Sequence, residues 1–157
     1  MTDIKDPENT LFLDLESGRV TIELRPDLAP NHVARIKELA REGFYDGIVF
    51  HRVIEGFMAQ GGDPTGTGTS GSGKNLAAEF SSEPHTRGVC SMARSQNPDS
   101  ADSQFFICFG DATFLDGQYT VWGKVIDGMD FVDGIKRGEP VIDPDKIVKM
   151  SVAADAA

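Results

Sequence analysis

Between Phe50 and Asp63 the chain reads Phe-His-Arg-Val-Ile-Glu-Gly-Phe-Met-Ala-Gln-Gly-Gly-Asp, one arginine and one glutamine among Phe, Met and Gly. No acid, base or thiol dyad accompanies them. An apolar floor beside a permanently charged donor suits a reaction in which no proton moves and no bond breaks, such as rotation about a peptide C–N axis. That barrier, about 18–20 kcal/mol, comes from delocalisation of the nitrogen lone pair, and X-Pro bonds cross it unaided in tens to hundreds of seconds. As the bond twists, the nitrogen pyramidalises and its lone pair localises, so a donor aimed at it binds the transition state better than either planar state. A guanidinium stays protonated in proteins, so Arg52 would act electrostatically and not as a proton shuttle.

Other chemistries find weaker anchors. His51 adjoins Arg52 in an apolar run, where a hydrogen-bonded structural role is favoured over a general base. The three histidines show no His-x-x-x-His or Glu-x-x-His spacing, so no metal site is expected. No G-x-S-x-G elbow supports a hydrolase. Gly66, Gly68 and Gly71 satisfy G-x-G-x-x-G, and Gly68, Gly73 and Lys74 satisfy G-x-x-x-x-G-K, but Asn75 stands where a phosphate loop needs Ser or Thr. Asp63-Pro64-Thr65 breaks the strand that should lead in, and Pro84 and Gly88 interrupt the helix that should follow. The stretch reads as a flexible surface loop near the site.

With 25 acidic against 15 basic residues the formal charge is -10, which repels phosphates and anionic headgroups, so neither nucleic acid nor membrane is an expected partner. Its 157 residues suffice for a single domain, 1–157, with a core that needs no disulfide or metal. Met1 to Thr10 lacks the basic start and apolar run of a secretory leader, and a cytoplasmic location is expected. Cys90 and Cys108 sit in apolar runs and read as reduced core thiols, a disulfide being the minor alternative.

The elements that must carry Arg52 and Gln60 are mostly short strands. Leu11, Leu13 and Leu15, then Val20, Ile22 and Leu24, alternate about Glu16-Ser17-Gly18 as in a hairpin. Pro30 opens a helix over roughly 30–42, with Val33, Ile36, Leu39 and Ala40 on one face and Gly43 as its cap. Apolar runs at 48–53, 57–60, 89–93, 104–109 and 119–125 predict strands, 129–136 a weaker helix, and 147–153 a closing strand. A mainly β fold follows, with strands closed into an antiparallel barrel that removes exposed edges and helices plugging its ends.

Taken together, Phe50-His51-Arg52-Val53-Ile54, Gly56-Phe57-Met58, Gln60-Gly61-Gly62-Asp63, Ser103-Gln104-Phe105-Phe106-Ile107, Leu115-Asp116-Gly117 and Val121-Trp122-Gly123-Lys124-Val125 resemble the signature blocks of the cyclophilin family of peptidyl-prolyl isomerases, in family order and spacing. The Met92-Ala93-Arg94-Ser95 block resembles single-domain bacterial members. The resemblance implies a closed eight-stranded antiparallel barrel capped by two α-helices, with the active groove on its outer face. It implies that Arg52 is the catalytic arginine and Gln60 the glutamine that holds it. Phe57, Met58, Phe106 and Leu115 would form the proline pocket. Ala93, Arg94 and Ser95 would pair with the peptide through their backbone, and Gln104, His51, Phe114 and Tyr119 would line the groove. The implied partners are proline-containing peptides and unfolded or flexible proteins, without cofactor or metal, and the protein itself is expected to be a monomer. A proline-peptide binding module or holdase chaperone with incidental catalysis is the alternative.

Three positions depart from the family pattern: Phe114 where Trp is frequent, Tyr119 where His is, and Arg94 where Asn is. Losing the indole removes a donor while keeping an aromatic wall, which should weaken cyclosporin binding more than catalysis. Arg94 is expected to add a charge preference for peptides.

Overall fold

The computed structural model describes residues 6–155, so the reading of residues 1–5 as part of a leaderless start lies outside them. Eight strands run β1 (Thr10–Leu15), β2 (Gly18–Leu24), β3 (Arg52–Ile54), β4 (Met58–Gly61), β5 (Val89–Met92), β6 (Phe105–Cys108), β7 (Val121–Asp127) and β8 (Ile147–Val152), with helices α1 (Pro30–Arg41) and α2 (Met129–Asp133). They form one antiparallel sheet in the order β3-β4-β6-β5-β7-β2-β1-β8. Among the described residues no helix is long and apolar enough to cross a membrane.

The expected closed barrel is corrected to a curled sheet that stays open at one seam. β3 and β8 end the sheet and share no ladder. The lead-in to β3 meets the start of β8 and the residues before it, through the Val49↔Lys146 bridge and hydrogen bonds from Phe50 N–H to Asp145 O, from Ile147 N–H to Ile48 O and from Gly47 N–H to Ile147 O. Beyond that point the free edge of β3 is occupied by residues 138–141: Val53 and Gly138 exchange two 2.8 Å bonds, and Val141 N–H donates to His51 O. A covered edge meets the same requirement as closure, because its backbone groups are paired.

Helix α1 begins with Pro30 at its first turn and ends in a Schellman motif, in which Phe44 N–H donates to Leu39 O and left-handed Gly43 donates to Ala40 O. Its N-cap, Ala29, has no side-chain acceptor. Glu79, more than forty residues away, supplies one: its carboxylate accepts from the Asn31 and His32 backbone N–H groups and from His32 Nδ1. Helix α2 stops at Asp133, short of the expected 136, since Lys136 N–H donates to the Asp145 carboxylate rather than to a helical carbonyl.

Period-2 alternation sorts the strand residues into two buried layers. Val53, Ala59, Ile107 and Cys90 oppose one another across β3-β4-β6-β5 and face inward, packing with Leu11, Leu13, Ile22, Trp122 and the apolar face of α1. Met58, Phe106, Cys108, Leu115 and Val121 form a second, smaller cluster on the outer face. Cys90 and Cys108 are free and buried, one in each layer, and burial pushes the Cys108 thiol up to about 12.

Two aspartates collect the backbone N–H groups of the glycine-rich stretch. Asp63, fully buried, accepts from Thr65 N–H and Oγ1 with one oxygen and from Gly68 and Ser70 N–H with the other. Asp102 does the same for the Ser72, Gly73 and Lys74 N–H groups. Gly62, which leads in, is at φ +101 with space for a Cβ only 2.4 Å from Ser103 O, so no side chain fits there.

Burial works to raise the Asp63 carboxyl, but its hydrogen bonds from Thr65, Ser70 and Gly68 outweigh it and hold the group at about 2, below the ordinary 3.8. A depressed carboxylate stabilises the fold above its unfolded value, and that stabilisation disappears as pH falls toward 2. Asp63→Asn is therefore expected to cost about 2 kcal/mol at neutral pH. Urea unfolding of both proteins across the acid range should show the gap closing as wild-type Asp63 protonates.

Candidate active site

Directly opposed residues in an antiparallel ladder project to the same side, so register alone aligns a row across four strands. Arg52 on β3 opposes Gln60 on β4, Gln60 opposes Phe106 on β6, and Phe106 opposes Ser91 on β5. The next outward row holds Ile54, Met58 and Cys108. Two 3.6-residue turns of helix could not present such a flat array, whereas strands at about 4.8 Å spacing do.

These rows floor a cavity of about 140 Å³, roughly ten times the space one water needs. Arg52, Met58, Gln60 and Phe106 line it from β3, β4 and β6, and Phe57 from the β3–β4 turn; Ala93 and Arg94 follow β5; and Leu115 and Tyr119 come from the segment before β7. Tyr119 meets Phe106 edge to face at 5.8 Å. The Arg52 side chain is neither directed away from this slot nor entombed: it is 43% exposed at the rim.

A chain of directed hydrogen bonds holds the polar edge. Arg52 Nη1 donates to Gln60 Oε1 at 3.3 Å, Gln60 Nε2 to Gln104 Oε1 at 3.0 Å, and Gln104 Nε2 to Ser70 O at 2.9 Å. Because a guanidinium can only donate, the orientation of both amides follows from the first bond. Arg52 Nε donates to Glu139 Oε2 at 2.9 Å.

A second hollow of about 310 Å³ continues from the first across Gln60, Ala93 and Arg94 and is walled by Ser95, Gln104 and the 68–71 loop. Ala93 N–H is engaged by Gln104 O. The Arg94 guanidinium folds back over the Tyr119 ring at 4.7 Å and donates to the carbonyls of Gln118, Ser95 and Gln96.

Two expected groove residues line neither cavity. Phe114 is 67% exposed on the 3-10 turn Thr113–Leu115, its ring tilted against Phe57 at 5.5 Å. His51 is buried, its Nδ1 has no hydrogen-bond partner among the described residues, and its ring lies against Gly68. Burial lowers its pKa, against the pull of Asp63.

Sequence reasoning missed the support beneath the pocket. His85 lies fully buried, stacked on Phe106, with Nδ1 bound to Asp116 and Nε2 to Ser91 Oγ, which in turn donates to Thr120 O. Burial lowers the His85 pKa although Asp116 opposes the shift. No spacing signal links residues 85, 91 and 116, because the contact is made by the outer layer and not by a local motif. Glu139 was missed for the same reason.

The sequence model of the family described as "Cyclophilin type peptidyl-prolyl cis-trans isomerase/CLD" matches residues 11–152. The chain is 57% identical to a "Probable peptidyl-prolyl cis-trans isomerase" of Brucella suis, covering 96% of this chain and 85% of that protein. It is 45% identical to "Peptidyl-prolyl cis-trans isomerase B" of Bacillus subtilis, over 82% of this chain and 90% of the relative. Among solved structures, cyclophilin AquaCyp293 from Hirschia baltica superposes with a TM-score of 0.89 at 32% identity, covering 97% of this chain and 76% of that one. A Cryptosporidium parvum cyclophilin-type isomerase, crystallised in the presence of the dipeptide Ala-Pro, superposes at 0.84 with 30% identity, covering 91% and 98%. Fold and sequence thus agree, and the chain belongs to the cyclophilin-type peptidyl-prolyl cis-trans isomerase family.

Proposed function

We propose that this chain is a single isomerase domain that rotates X-Pro bonds of peptides and unfolded or flexible proteins, with Arg52 donating to the prolyl nitrogen as it pyramidalises. The observation that carries this reading is the adjacency of a guanidinium to an apolar slot of proline size. Phe57, Met58, Phe106 and Leu115 hold the ring while the carbonyl side turns. Their apolar surface excludes water, which favours the less polar twisted amide and strengthens the Arg52 contact. Gln60 fixes Arg52 from one side and passes its second amide function to Gln104, so the donor is oriented before substrate arrives. The continuous hollow past Gln60 takes the residues preceding proline, and Ala93, Arg94 and Ser95 flank their path. Arg94 adds positive charge to that flank, which favours acidic side chains in the peptide.

Arg52→Ala should keep peptide affinity within a few-fold and lower turnover by about 2–4 kcal/mol, the usual cost of one transition-state donor. A protease-free assay on an X-Pro peptide separates the two quantities. Collapse of affinity with turnover following it would instead favour a proline-peptide binding module. Phe114→Trp restores an indole donor at the groove edge and should raise cyclosporin affinity roughly three- to tenfold, the worth of one hydrogen bond. Titration calorimetry of both proteins reads that difference.

A further inference from the structure

We propose that Glu139 is a positioning residue for Arg52, holding the guanidinium from the side opposite Gln60; this rests on the reading of Arg52 as the transition-state donor. Two bonds define the hold: Nε to Glu139 Oε2 at 2.9 Å and Nη1 to Gln60 Oε1 at 3.3 Å. A long side chain with one anchor still pivots about its last torsions, whereas anchors on Nε and on Nη1 fix the plane of the fork and leave Nη2 and one Nη1 hydrogen for substrate.

The backbone delivers Glu139 to that place. Gly138 and Val53 exchange paired hydrogen bonds at 2.8 Å, and Val141 N–H donates to His51 O at 3.1 Å, so residues 138–141 run as an extra short edge beside Arg52. At Gly138 a Cβ would lie 2.7 Å from Pro140 O, so the turn that presents Glu139 closes only around glycine. This segment occupies the place where the eighth strand would have paired had the sheet closed.

Stability does not account for the arrangement. Both side chains are about half exposed, at 43% and 56%, and ion pairs so exposed add little to folding. Direction is what the pair supplies, and small misplacement of a group at the reacting atoms has large effects on turnover.

The test measures kcat, KM and thermal stability for Glu139→Ala and Glu139→Gln, alone and with Arg52→Ala. Glu139→Ala is expected to lower kcat about three- to tenfold with KM within about twofold and an unchanged melting temperature. Glu139→Gln retains an acceptor for Nε and should recover most of the loss. With Arg52 already removed, Glu139→Ala should have no further effect. Wild-type kcat in Glu139→Ala, a faster enzyme, a glutamine variant as slow as the alanine one, or a loss that persists without Arg52 would each overturn the proposal. Should Arg52→Ala itself leave turnover unchanged, it is the donor reading that fails, a result distinct from any of these.

Discussion

Cross-strand register is the constraint on which everything else in this molecule depends. Arg52, Gln60, Phe106 and Ser91 share a face only because β3, β4, β6 and β5 pair in one register. A slip of one residue would turn Arg52 into the inner core and Val53 out to solvent, and both errors are costly: an unpaired buried charge and a lost apolar contact. The inner layer therefore secures the outer one. Val53, Ala59, Ile107 and Cys90 are packed on the inside, and their fixed positions determine where the reactive face lies.

A sheet face alone is too flat to hold a ring and exclude water. Depth comes from the segments that stand on it: the 3-10 turn bearing Leu115, Tyr119 ahead of β7, and the loop tied down by Asp63 and Asp102. The loop is held by the buried Asp63 carboxylate, whose hydrogen bonds are satisfied, and in a low-dielectric setting these give direction as well as stability. His85 shows the same device under the floor, where bonds to Asp116 and Ser91 keep its ring parallel to Phe106.

Charge is distributed to match. The chain carries a formal -10, yet the groove holds two guanidiniums, Arg52 and Arg94, and the carboxylate nearest the first engages its Nε. The second is spread over Tyr119 and backbone carbonyls and makes no ion pair among the described residues.

Much of this was readable along the chain. Apolar alternation located the hairpin and the later strands to within a few residues, Pro30 and Gly43 bounded α1, and the family resemblance singled out nine residues that do surround one cavity. These are local signals, set by backbone sterics and by the two- and 3.6-residue periods. What tertiary structure alone decided is long-range: the seam left open because residues 138–141 cover β3, the Glu79 cap on α1, the aspartates that order the glycine-rich loop, the outward turn of Phe114, and the placing of His85 and Glu139. Each of these joins groups far apart in sequence by hydrogen bonds or stacking, and neither composition nor spacing encodes which donor will meet which acceptor once the sheet has curled.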